Sequence, residues 1–205
     1  MIPVTVRRVI YSFALVVAFA LAVGALPDEV ARAQSGPKRP PITGVASFAA
    51  KVSTLEDARA FYSGVLGLQE AFTIKNPVGG SDLTTFKIND QQYVYIAPDL
   101  KDPNESRLLF VGFETKDAKA LRTYLASKGV EVPQSVSADA AGNLSLFVKD
   151  PEGNVVQFIQ YQSKGLHARN KGKFVSARRL SDHALHVGYR IRDPEALDRF
   201  YKDIL

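Results

Sequence analysis

The chain has 205 residues, 46% hydrophobic and 23% charged, which is the balance of a globular protein and excludes a disordered one. It contains no cysteine, which excludes disulfides, thiolate metal sites and Cys nucleophiles. The net charge of +5 becomes +4 once residues 1–33 are set aside (three Arg against one Asp and one Glu), too small a balance to point to nucleic acid.

Residues 1–33 have the three parts of a secretory signal peptide: basic Arg7-Arg8, the apolar run Val9–Leu26, and Ala31-Arg32-Ala33 ahead of Gln34. Cleavage and export to the periplasm or exterior are expected. An uncleaved segment, just long enough to span a bilayer, is the one route to a membrane. Residues 34–41, QSGPKRPP, form a Pro-rich disordered tether.

From Ile42 the pattern is cyclic. Val45–Val52 has strand character, Ser53 and Thr54 offer N-caps, and Ser53-x-x-Glu56 is a capping-box pattern. Ala58, Phe61, Tyr62, Val65 and Leu66 recur at helical spacing, and Gly67 suits a helix C-terminus. Thr84–Ile88 and Gln92–Ala97 are β-rich runs around the turn pair Asn89-Asp90. A second cycle follows, with a strand at Leu108–Glu114 and a helix capped by Thr115 or Asp117 that ends at Gly129. Strand character returns at Val130–Val132, Val136, Leu144–Val148 and Val155–Gln160. Asp150-Pro151-Glu152-Gly153 is a type I turn. Residues 163–179 carry basic side chains and no acid, which reads as a solvated linker. His167 and His183 fall on linker or turn.

Part of this pattern recurs without a gap 139 positions on. Ser47-Phe48-Ala49-Ala50-Lys51-Val52 and Phe61-Tyr62-Ser63-Gly64-Val65-Leu66 match His186-Val187-Gly188-Tyr189-Arg190-Ile191 and Phe200-Tyr201-Lys202-Asp203-Ile204-Leu205. The second copy reaches Leu205 within the repeat unit, so residues 180–205 read as the truncated first strand and helix of a second domain. Without further strands its Val187, Ile191, Leu197 and Phe200 are expected to be partly exposed and loosely packed.

The strand–helix pattern, Phe61-Tyr62-Ser63-Gly64-Val65-Leu66-Gly67 and Asp150-Pro151-Glu152-Gly153-Asn154 together resemble the vicinal oxygen chelate superfamily. Its members include glyoxalase I, bleomycin-resistance proteins and extradiol dioxygenases. The resemblance implies an α+β fold of paired βαβββ modules at 42–98 and 107–162, forming one complete domain at 42–162. It also implies a divalent metal, Fe, Mn, Zn or Ni, held by a His on the first strand of one module, a His or Glu on the matching strand of the next, and a carboxylate after the Asp-Pro turn. Carried over, those positions are Ser47, Phe110 and Gln157, so no cofactor is expected in 42–162. The third cycle restores His186, the first ligand of a metal site whose other ligands lie outside the chain.

Two readings follow. One is an exported metal-dependent dioxygenase or lyase acting on vicinal oxygens, in which this stretch is inactive by itself. The other is a metal-free small-molecule binder whose cup is lined by Ser47, Tyr93, Tyr95, Phe110 and Gln157, with a homodimer as the expected assembly. An inactive fragment is a third.

Overall fold

Alternation of apolar side chains along the strands of both cycles lets one sheet carry two buried faces. The computed structural model shows this as an eight-stranded sheet, and it describes residues 36–188 and 191–205. The expected signal peptide and the first two tether residues lie outside the described residues. The chain divides into residues 1–38 and residues 39–205. Of the first unit, residues 36–38 are exposed and irregular. No helix among the described residues is long and apolar enough to cross a membrane.

In the second unit, the first module contains β1 (Ile42–Lys51), α1 (Leu55–Arg59, running into a π-helical turn at Ala60–Val65), β2 (Gln69–Ile74), β3 (Leu83–Lys87) and β4 (Tyr93–Ala97). The second contains β5 (Leu108–Thr115), α2 (Ala118–Ser127), β6 (Ser137–Ala138), β7 (Leu144–Lys149) and β8 (Val155–Gln160). The strand order β2-β3-β4-β1-β5-β8-β7-β6 is a mirror arrangement of two modules. Each first strand lies parallel to its own module's last strand, and β1 and β5 pair antiparallel across the middle.

Strand periodicity of two sorts residues onto opposite faces. On the outer face Phe48, Phe86, Val94 and Ile96 pack under α1, while Leu146, Val148, Val156 and Phe158 pack under Leu121, Tyr124 and Leu125 of α2. Each large apolar side chain buried this way contributes roughly 1.5–3 kcal/mol. The inner face gathers Ala49, Leu83, Tyr93, Tyr95, Ala97 and Phe110, with Phe72, Phe147 and Val155 against them.

Several expectations are corrected. Of the two caps offered at Ser53 and Thr54, it is Thr54 that starts α1, its Oγ1 accepting from Asp57 N at 3.1 Å, and not the Ser53 capping box. The edge strand β2 carries strand formers only in its second half, Phe72-Thr73-Ile74, and pairing with β3 extends it back to Gln69. The strand character expected at Val130–Val132 and Val136 is not realised, and the two-residue β6 forms just beyond it at Ser137–Ala138. The basic stretch is not a solvated linker throughout. It contains α3 (Leu166–Arg169), which buries His167.

Residues 180–188 form no strand. They run instead along the first module, where Leu180 N donates to Leu66 O and Ala184 N to Gln92 Oε1. The following helix, α4 (Pro194–Asp198, continuing as a π-helical turn Arg199–Ile204), packs tightly rather than loosely. Leu197 is 5% exposed and Phe200 3%, with Phe200 in the outer core of the second module. Ile191 does stay exposed. The Asp-Pro-Glu-Gly turn secures this helix: Glu152 Oε1 accepts from Arg192 N and Asp193 N, and Tyr201 Oη donates to Asp150 Oδ2.

Candidate functional site

The inner face is the surface on which a ligand would sit. Strand register puts Ser47 beside Tyr93 and Gly112, Tyr95 beside Ala49, and Gln157 beside Gly112. Tyr95 and Gln157 therefore occupy matching places in the two modules, as Ser47 and Phe110 do. The five residues expected to line a cup, Ser47, Tyr93, Tyr95, Phe110 and Gln157, are all on this face, and all are buried.

At the centre the missing side chain of buried Gly112 leaves room for Ser47 and Gln157. A Cβ there would run into Ser47 Oγ and lie 2.9 Å from Gln157 Oε1. Both of those oxygens, and Thr85 Oγ1, are buried without a hydrogen-bond partner. Gln157 Nε2 donates to Ser145 Oγ at 3.1 Å, and Ser145 Oγ donates to Asp139 Oδ2 at 3.0 Å.

Over the first module the face is filled by the chain's own strap, residues 163–173. Gly165 fits against Asn143 Oδ1 and the Ala141 carbonyl too closely to allow a side chain. Leu166 N donates to Ala141 O at 2.7 Å and starts α3. His167, 2% exposed, then enters the cup. Its Nε2 is 2.7 Å from Tyr95 Oη and its Nδ1 is 2.8 Å from Asn143 Nδ2. Tyr93, Phe72 and Tyr161 surround the ring, with centroids at 4.5, 5.2 and 4.9 Å.

Lys87 holds the far end of the strap. Its side chain is fully buried, and its three N–H bonds go to Asp90 Oδ1 at 2.6 Å, Asn170 O at 2.6 Å and Lys173 O at 2.8 Å. A buried ammonium needs each of its donors answered. Asp90, held below the usual carboxylate range first by its bond to Lys87, also accepts from Gly172 N.

Burial lowers the His167 pKa to about 3, with the nearby Lys87 charge adding to the effect. Burial likewise raises Tyr93, Tyr95 and Tyr161 above the ordinary phenol value. At neutral pH the cup therefore offers neutral hydroxyl, phenol, amide and imidazole groups.

A divalent cation of the kind this architecture implies does not fit that set. Ser47 and Tyr95 supply neutral hydroxyls, Phe110 supplies no donor atom and Gln157 a neutral amide. Both nitrogens of His167 are already engaged. No group of three His, Cys, Asp or Glu residues able to hold a metal occurs among the described residues. His186 is exposed, on the segment that forms no strand.

The model of the Glyoxalase/Bleomycin resistance protein/Dioxygenase superfamily matches residues 44–158, more than half of the chain. The chain belongs to this superfamily. Its fold is the α+β fold of paired βαβββ modules. Similar solved structures include a methylmalonyl-CoA epimerase in complex with methylmalonyl-CoA and NH4+, at a TM-score of 0.51 and 19% identity over 61% of this chain and 99% of that one. A variant of the Streptomyces coelicolor methylmalonyl-CoA epimerase in complex with 2-nitronate-propionyl-CoA matches at 0.51 and 20%, over 61% and 99%. The methylmalonyl-CoA epimerase from Mycobacterium tuberculosis matches at 0.50 and 17%, over 59% and 89%. At these identities the likeness carries the fold and not the reaction. No curated protein matches the chain.

The sequence brought five side chains to the inner face but missed His167, Lys87, Asn143, Phe72 and Tyr161. One signal was present for the strap: Leu166-His167-Ala168 is a short apolar-flanked patch inside an otherwise basic stretch.

Proposed function

We propose that this is an exported member of the superfamily whose domain at 42–162, with its strap at 163–173, is metal-free and non-catalytic. It serves as the structural partner of a further module that opens at residue 180. The observation that carries this reading is the chemistry of the four matching inner positions. Ser47, Tyr95, Phe110 and Gln157 present no carboxylate or free imidazole, and the chain's own His167 is seated among the side chains around them. His186 is then the first ligand of a divalent-metal site completed by that further module, with vicinal-oxygen chemistry belonging there.

The test is metal content after exposing the full chain to Fe, Mn, Ni and Zn. The expected result is no metal that depends on the inner face. One equivalent lost on changing Ser47 or Gln157 to Ala would overturn the metal-free domain, whereas loss on His186→Ala would support the further module.

A second reading, capture of a small molecule without metal, is favoured by the buried unpartnered oxygens of Ser47, Gln157 and Thr85. A thermal shift on ligand addition in the presence of a chelator tests it.

A further inference from the structure

The hydrogen bonds around His167 specify its tautomer. Asn143 Oδ1 accepts from Gln162 N at 3.0 Å, which fixes the orientation of the amide and leaves Nδ2 to donate to His167 Nδ1. Nδ1 is therefore the bare nitrogen, and Nε2–H donates to Tyr95 Oη at 2.7 Å. Tyr93 and Phe72 meet the ring edge-on, at interplanar angles of 85° each, and Tyr161 lies tilted beside it.

Every group that recognises the ring lies outside α3. Asn143 lies in the turn before β7, Tyr93 and Tyr95 on β4, Phe72 on β2, and Tyr161 just after β8. The helix supplies the imidazole and its tether, and a four-residue helix has little stability of its own. A groove of about 360 Å³, lined by Asp90, Gln91, Tyr161, Ala168 and Lys171, adjoins His167 from outside. It is an entry route for a small molecule once the side chain is gone.

We propose that Phe72, Tyr93, Tyr95, Asn143 and Tyr161 form a binding cage for an imidazole-type ring, and that His167 is its tethered occupant. The cage selects one bare nitrogen and one N–H in a 1,3 relation, between aromatic walls that exclude water. It rests on the metal-free reading, since the ring is held by hydrogen bonds and not through a cation. Tethering gives His167 an effective concentration on the order of millimolar or higher, so free ligand competes poorly while the side chain is present.

The test uses His167→Ala in the full chain, in a chelator, at pH 8.5 where free imidazole is neutral. The variant melts lower than the parent. Imidazole at tens of millimolar raises its Tm saturably, leaves the parent's Tm unchanged, and is not matched by 1-methylimidazole, which lacks the N–H. Equal effects on variant and parent, no effect on either, or equal rescue by 1-methylimidazole would each overturn the cage. If His167→Ala does not fold unaided, soluble yield on refolding with each compound is measured instead. A higher yield with imidazole than with 1-methylimidazole supports the proposal, and equal yields overturn it. A rescue that appears only when divalent metal is added and chelator omitted would count against the metal-free reading.

Discussion

His167 makes the stability of the inner face depend on pH on the acid side. In the unfolded chain this residue takes up a proton near the ordinary histidine value of 6.5, whereas burial in the native state brings its pKa to about 3. Between those values the unfolded state binds more protons, so stability is complete above pH 6.5 and declines as the pH falls towards 3. The slope from this residue alone reaches up to about 1.4 kcal/mol per pH unit. Urea unfolding of His167→Gln should therefore be flatter with pH between 4 and 6.5 than that of the parent, and parallel curves would contradict the buried neutral imidazole. At the centre of the face, Ser47→Ala removes a hydroxyl that is buried without a partner, so it should be neutral or stabilising by about 1 kcal/mol. Gly112→Ala should cost about 1–3 kcal/mol, because its Cβ meets Ser47 Oγ and Gln157 Oε1. The double variant should recover part of that loss, and strict additivity would show that the two sites do not touch. Ser47 was singled out by its match to His186 in the repeat, and Gln157 only by the resemblance to the superfamily, as the position after the Asp-Pro turn. The role of His167 was not legible, because it depends on a long-range bond to a residue 72 positions away in sequence.

The strap from 163 to 173 is the element that most alters the site. Lys87 cross-links it to β3, and Lys87→Met would leave two carbonyls and Asp90 without their ammonium. The expected cost is about 2–4 kcal/mol, discounted from that of a fully buried pair because Asp90 keeps solvent access. Amide exchange at 166–173 should become faster than in the sheet, and uniform loss of protection across the domain would show that the strap is not a separable element. Among the elements, the helices and the main strands were readable because cap, stripe and terminal glycine agree: Asp117 caps α2 and Gly129 ends it at a φ of 79°. β2 and the strap were not, since one owes its form to a neighbouring strand and the other to a buried lysine distant in sequence.

For the whole molecule, the repeat correctly announced a third copy of the helix but misplaced its packing. In α1 the motif's Phe61 is 50% exposed, while its counterpart Phe200 in α4 is 3% exposed against the second module. Strand–helix periodicity reads which side of a helix is apolar, and not which neighbour will cover it. Phe200→Ala should cost about 3 kcal/mol in denaturant unfolding of the full chain; a change below about 0.5 kcal/mol, the scale of an ordinary surface substitution, would mean that α4 is not docked in solution. Export predicts a mature N-terminus at Gln34 by intact mass, and a chain still carrying Met1 would contradict cleavage.

A metal-free cup filled by the chain's own imidazole is tested most directly by nitrogen-detected NMR of histidine side chains in the full protein. His167 is expected to show a bare Nδ1 and a protonated Nε2, unchanged from pH 8 to pH 5 and unmoved by added Zn or Ni. Titration near pH 6.5, or a shift of either nitrogen on metal addition, would contradict it.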